Sequence, residues 1–359
     1  MLNNSNRRMN FNNNESNGSR PMQGNMPLGI INPLDVRTIT NTINIDTRFR
    51  ENYHSTSSTN LQIKLENIQK RVVSLKVLSI DMPMSFYTIS KSRGNATFII
   101  KKNKLLPGTN NKQAWLVTIP DGNYELEWLD ENKGKNIIET VNTSIKNAKT
   151  GYLTDNNIFI EYSKNEYIPL GNSIVFDVDR ASGKSNFKTG SNVINGLNNI
   201  EVLFNVSDNI ITNPNLTELQ QFLGWQLGFR KTSYSLNLNT TNNIASEGIC
   251  MITGPRYGFI SLNDKQTRSK SNFISAFNKS ILDKHIISKI SLSSCMDDVG
   301  SYKTASTLKS YNHFNQIREY FGPVDIKNLD IKLLDEYGKI IDLNNMDWSI
   351  TLVFETLYD

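Results

Sequence analysis

The stretch RVVSLKVLSIDM, Arg71 to Met82, decides the architecture. Its apolar residues fall on both faces of an extended chain: Val73, Leu75 and Val77 on one, Val72, Leu78 and Ile80 on the other. A strand with two apolar faces is covered on both sides, so this one is expected to run through the middle of a sheet and to stop at Pro83. On its N-terminal side, LQIKL places Leu61, Ile63 and Leu65 on one face, and TITNTINID does the same with Ile39, Ile43 and Ile45. On its C-terminal side come further short β-runs: ATFIIKK, AWLVTI, NIFIEYS, NSIVFDV, IEVLFNV, TSYSLNLN, YGFISLN, HIISKISLS, VDIKNLDIKLLD, KIIDL and WSITLVFETLY. Turn residues separate them, among them Pro107-Gly108, Asp121-Gly122, Gly171-Asn172 and Tyr337-Gly338.

Only two segments have helical spacing. KNIIETVNTSIKNA sets Ile137, Ile138, Val141 and Ile145 on one side. PNLTELQQFLG does so with Leu216, Leu219 and Leu223; Asn215 and Glu218 form a capping-box pattern, and Gly224 is the expected stop. Many strands, few helices and no alternation of strand with helix imply an all-β antiparallel sandwich or barrel. No repeat of fixed period is present. One elaborated sandwich over residues 37–359 is the expectation, with a subdivision near 207–231, where the second helix interrupts the strands.

Residues 1–36 differ from the rest. The run NNSNRRMNFNNNESNGSRPMQGNMPLG is rich in Asn and poor in aliphatics, so an extended or disordered arm is expected. Met9, Phe11, Met22, Met26, Leu28 and Ile30 are spaced along it as candidate contacts for a neighbouring surface. Extended at ~3.3 Å per residue, such an arm reaches about 115 Å.

The chain has 359 residues, 38% hydrophobic, and a net charge of +5 spread along its length. Lys and Arg are interleaved with Asp and Glu, without a basic–aromatic ladder, so no specific nucleic acid is expected as a partner. Two cysteines, Cys250 and Cys295, make no disulfide framework. The N-terminal stretch has no apolar signal region, and no apolar run nears the ~20 residues of a membrane helix. Contact with an inner membrane therefore has no sequence feature behind it.

Motifs for chemistry are missing. His54, His285 and His313 stand in unrelated contexts, and none belongs to a metal-binding spacing. His285 lies in an apolar run and reads as a core or interface histidine. DVDRASGKS, Asp177 to Ser185, ends like a phosphate loop, but Val178 holds the place of its first glycine. As a calcium loop it fails at Ala181 and Lys188, which leaves a solvated loop. Glu125, Glu127, Asp130 and Glu131 cluster before the first helix, where the helix dipole attracts acids anyway. No catalytic residue, metal site or cofactor is assigned, and the chain is not expected to be an enzyme.

One charged cluster remains. NIDTRFRENY puts Asp46, Arg48 and Arg50 just past an alternating strand. Asp46 is positioned to accept a forked pair of hydrogen bonds from either arginine and to pin a structural corner, leaving the other for a neighbour.

These stretches, in this order, resemble a recurring pattern in virion proteins of nucleocytoplasmic large DNA viruses, the mimivirus-like giants among them. Ile45, Asp46, Arg48 and Arg50 match its first element; Ser79, Ile80, Met82, Pro83 and Tyr87 its second; Asn95 and Phe98 its third. IPDGNYELEWL (Ile119 to Leu129) resembles its approach to a helix, and Leu227, Gly228 and Phe229 its L-G-F landmark. Asp335, Gly338 and Trp348 match its closing strands. The resemblance implies a jelly-roll-type β-sandwich in a virion shell assembled in host cytoplasm. It implies a minor capsid component that cements major capsid capsomers, with the N-terminal arm as tether. Expected partners are the major capsid protein, other minor capsid proteins and further copies of the chain itself. The alternatives are a penton protein at the vertex, or a carbohydrate-binding fibre-head module, which would display an aromatic shelf.

Overall fold

In a computed structural model, the structure describes residues 37–108, 110–126, 136–163, 169–207, 210–211, 219–240, 243–267, 285–292, 302–306 and 317–358. The N-terminal arm with its six candidate contacts, Met9 to Ile30, lies outside these residues, as do Glu127, Asp130, Glu131, His313 and Cys295.

In chain order the strands are β1 (Thr38–Asp46), β2 (Asn60–Pro83), β3 (Thr97–Leu105) and β4 (Lys112–Thr118), then the helix α1 (Ile137–Lys146). They continue with β5 (Lys149–Leu153), β6 (Phe159–Glu161), β7 (Ile174–Val178), β8 (Lys184–Thr189), β9 (Asn199–Leu203), β10 (Val206–Ser207) and β11 (Ile210–Ile211). After the single turn α2 (Leu223–Gln226) come β12 (Ser233–Asn237), β13 (Asn243–Ile249), β14 (Tyr257–Asn263), β15 (Ile286–Ser291), β16 (Tyr302–Ser306), β17 (Arg318–Leu334) and β18 (Ser349–Leu357). Every ladder between these strands is antiparallel. The fold is the all-β antiparallel sandwich that the strand-rich sequence implies.

β2 is the central strand that its two apolar faces require. None of Val72 to Pro83 is exposed, and β2 pairs with β18 on one side and with β17 and β16 on the other. The LQIKL and RVVSLKVLSIDM segments are one strand of 24 residues, bent where Arg71 takes a left-handed φ of 54°. The ends of the chain nest: β1 pairs with β18, and β2 with β17. This seven-stranded sheet, ordered β1-β18-β2-β17-β14-β15 with β16 beside β2, encloses one core built around Leu75, Met82, Ile331, Trp348 and Phe354.

A second core lies between a six-stranded sheet, β12-β9-β3-β4-β5-β6, and a three-stranded one, β13-β8-β7. Phe98, Phe176, Phe187, Phe204 and Phe229 fill it, with Phe204 and Phe229 stacked at 4.8 Å. The helix α1 closes one side. Asn136 caps it by accepting from the N–H of Ile138, and Ile137, Val141 and Ile145 point inward, as their spacing predicts.

The members of this second core run from Ile89 to Ile252, whereas those of the first come from Leu61–Phe86 and Ile260–Phe354. The separation between cores thus falls near residues 87 and 255. It does not coincide with 207–231, because Phe204 and Phe229 on either side of that segment touch each other.

Three local expectations need correction. Gly224 does not stop a helix; it lies within α2, where an added Cβ would come within 2.5 Å of the Phe204 ring. The front of that expected helix, 214–218, lies outside the described residues. KIIDL makes no strand beyond a single bridge of Ile340 to Leu334. Asp335 accepts from the N–H groups of Tyr337 and Lys339 at 2.9 Å each, which turns the chain too tightly there. Asp177 to Ser185 is not a solvated loop throughout: it is the β7–β8 hairpin, and Ser185 is fully buried.

Candidate functional site

The charged corner begins where β1 ends. Asp46 caps a short turn over Thr47–Phe49, its carboxylate accepting from the Arg48 N–H at 3.0 Å. The Arg48 guanidinium reaches the same carboxylate, with Nη2 at 2.6 Å from Oδ2, and this bonding holds the Asp46 carboxyl below its ordinary range. The Arg48 side chain is 68% exposed, so this pair sits on the surface.

Arg50 does not join Asp46. Its Nη1 pairs with Asp347, and it donates further to the carbonyls of Thr47 (2.8 Å), Thr56 (3.2 Å) and Tyr53 (3.2 Å). Its guanidinium lies 3.9 Å from the centre of the Tyr53 ring. Asp347 accepts as well from the Thr47 hydroxyl at 2.9 Å and the Tyr53 hydroxyl at 2.8 Å. The Asp347 carboxylate raises the Tyr53 phenol above its ordinary value by accepting its proton in a hydrogen bond. Beside it, the buried Trp348 donates its indole N–H to the Ser58 carbonyl at 2.6 Å. The corner therefore locks the 47–59 loop onto the segment that enters β18. Outward it presents Phe49, 82% exposed, with Tyr53 and Met346. Phe49 and Tyr53 thus form an exposed aromatic tip on the corner. Sequence reading missed Asp347, whose partner lies 297 positions away; the adjoining Asp-Trp pair was the only local signal.

A second feature is a cleft of about 330 Å³ between the two cores. Arg93, Trp225, Arg230, Tyr257, Asp335 and Lys339 line it. Asp335 faces Arg93 at 3.7 Å, and Lys339 donates to the Arg93 carbonyl at 3.0 Å. These contacts fasten the β17–β18 turn to the loop that opens the second core. Burial lowers the Lys339 ammonium and raises the neighbouring Glu336 carboxyl from its ordinary value of 4.5. A raised carboxyl contributes stability that is full below the unfolded value and is lost as pH rises through the folded one. Glu336→Gln is therefore expected to melt above wild type by a margin that widens as pH rises from 4.5 toward neutrality. Thermal melts across that range check it, and a margin independent of pH contradicts it.

A third feature is buried. Arg318 donates to Asp264 at 2.9 Å and to the carbonyls of Leu262 (2.7 Å) and His285 (3.1 Å). The Tyr320 hydroxyl donates to the same carboxylate at 2.5 Å. His285 thus serves through its backbone, just ahead of β15. Among the described residues, no three His, Cys, Asp or Glu side chains are grouped to hold a metal ion. Cys250 is buried, which pushes its thiol up to about 11 and keeps it unreactive.

No family model and no curated protein matches the chain. Among solved structures, the penton protein of mavirus aligns over 89% of this chain and 100% of its own, at 12% identity and a TM-score of 0.39. A chain in the 3.5 Å cryo-EM structure of the Sputnik virophage aligns over 88% of this chain and 98% of its own, at 12% identity and a TM-score of 0.35.

Proposed function

We propose that this chain is a structural subunit of a virion shell. The observation that carries the proposal is where the residues of the virion-protein pattern stand. Arg50 and Trp348 build the corner lock, Pro83 ends the central strand, and Phe98 and Phe229 lie in the second core. Asn95 donates to the Thr88 carbonyl at 2.8 Å and accepts from the Ser90 N–H at 2.9 Å, anchoring the loop between the cores. Gly228 has a φ of +93°, and a Cβ on it would lie 2.4 Å from the Gly248 carbonyl oxygen. The pattern follows the load points of the framework rather than a reactive pocket.

At finer grain we favour a vertex subunit over the cementing role that the sequence suggests. One core is drawn from both chain ends, and a second is carried between β2 and β14. A fibre-head lectin is disfavoured because Trp225 is covered by the Arg230 guanidinium 3.8 Å from its ring, so it forms no open shelf.

Cryo-EM of particles that carry the chain tests both levels. Five copies around each five-fold vertex are expected. Copies spread over the facets would favour cementing, and absence from purified particles would overturn the shell assignment. In the same particles, deletion of residues 1–34 is expected to lower incorporation while leaving the melting temperature of the isolated protein unchanged. Normal incorporation would remove the tether role from the arm.

A further inference from the structure

The cleft between the two cores gathers positive charge from both sides. Arg93 and Arg230 belong to the stretch that builds the second core, Arg256 and Lys339 to the stretch that returns to the first. Two acids share the lining, Asp335 and Glu336, so the formal excess is two positive charges. Asp335 is already engaged: its carboxylate accepts from the N–H groups of Tyr337 and Lys339 and faces Arg93. Burial holds Glu336 toward its neutral form, which widens the excess.

Two of the four cations have no carboxylate. Among the described residues, no acid lies within ion-pair distance of the Arg230 or the Arg256 guanidinium. Arg230 lies flat on the Trp225 ring and uses only Nη1, which donates to the carbonyls of Trp225 (2.9 Å) and Phe229 (3.1 Å). Its Nε and Nη2 donate to nothing among the described residues. Arg256 is exposed, and its backbone is fixed to the first core, the carbonyl accepting from the Leu292 N–H at 2.8 Å. Burial foremost, with the Arg93 charge adding to it, lowers the Lys339 ammonium. Like charges in a half-enclosed cleft repel one another more strongly than in open water, and an anion seated among them relieves that repulsion.

We propose that this cleft binds a phosphate-class oxyanion, held by Arg93 and Arg230 from one side and by Arg256 and Lys339 from the other. Guanidinium forks match phosphate oxygens in charge and in geometry. The volume of about 330 Å³ lies at the small end of ligand pockets, which suits one anionic group with a short organic tail. Ile249 and Met251, each about half exposed, line the same cleft and offer such a tail an apolar surface. Because the anion takes cations from both sides, it ties the two cores together across their joint. The proposal concerns the cleft alone and holds whether or not the chain is a shell subunit.

Thermal melts of the full chain in millimolar inorganic phosphate test it, at fixed ionic strength with chloride as the reference. The melting temperature is expected to climb with the logarithm of phosphate concentration, as for a ligand that binds only the folded form. Arg256→Gln changes an exposed side chain and is expected to melt like wild type in chloride. It is expected to need about tenfold more phosphate for the same rise, the effect of losing one charge-assisted hydrogen bond. Arg230→Gln is expected to weaken the response as much. Phenyl phosphate then distinguishes the source of the anion. Tighter binding than inorganic phosphate assigns an ester whose tail lies on Ile249 and Met251, equal binding assigns the free anion, and both support the site. A melting temperature that ignores phosphate overturns the proposal. So does a rise that Arg256→Gln and Arg230→Gln both leave unchanged, since the anion then acts elsewhere.

Discussion

Asp264→Ala is expected to destabilise the fold by about 3–5 kcal/mol, the range found when one partner of a buried ion pair is removed. Asp264 is 2% exposed and Arg318 is 7% exposed, so neither charge has water to fall back on. With the carboxylate gone, Arg318 keeps two carbonyl acceptors but no counter-charge, and the Tyr320 hydroxyl loses its acceptor. Burial already holds the Tyr320 phenol well above its ordinary value, so it stays a neutral donor and cannot compensate. The loss is felt at the joint of β14, β15 and β17, because Asp264 follows the first, His285 precedes the second and Arg318 opens the third. Asp264→Asn, which keeps an acceptor, is expected to lose less. Replacing all three side chains together by apolar residues of similar volume is expected to recover most of the loss, since the desolvation penalty disappears with the charges. Urea denaturation of the single and triple variants measures this. A single-variant loss below about 1 kcal/mol, the range of exposed pairs, would mean that the pair is reached by solvent.

That trio was invisible in the sequence, and the reason is general to this chain. Local patterns identified what local chemistry makes: the two-faced strand β2, the apolar face of α1, and the turn at Asp335 to Gly338. They missed strands whose sequences are polar, such as KSNFKT in β8, where Ser185 is buried only because β13 and β7 flank it. They split β2 in two because Glu66 to Arg71 is polar except for the exposed Ile68; β17 bridges that interval through irregular register shifts. Above all, no window of sequence reveals that the strands at the two ends of the chain pair while some 170 residues between them form another core. The corner shows the same limit at the level of one side chain. Three charges within five positions were legible as a cluster, but which carboxylate each arginine takes depends on where residue 347 arrives.

Asp347→Ala is therefore expected to cost far more than Asp46→Ala, although Asp46 is the acid inside the charge cluster. Asp347 accepts from three side chains, those of Arg50, Thr47 and Tyr53. The side chains of the ion pair are 11% and 13% exposed. Removing the carboxylate leaves Arg50 largely buried against carbonyls and frees the loop from the start of β18, for an expected loss of about 3 kcal/mol. Asp46 serves mainly Arg48, which is 68% exposed, so water replaces it readily and the expected loss is under about 1 kcal/mol. Arg50→Lys separates charge from geometry. An ammonium keeps the charge facing Asp347, but it cannot donate in a fork to the Thr47, Thr56 and Tyr53 carbonyls or lie flat on the Tyr53 ring. It is expected to fall between the two alanine variants. Denaturant melts of the three proteins order them. Equal losses for Asp46→Ala and Asp347→Ala would mean that the corner is held from within the cluster, and that the closing strand merely passes beside it.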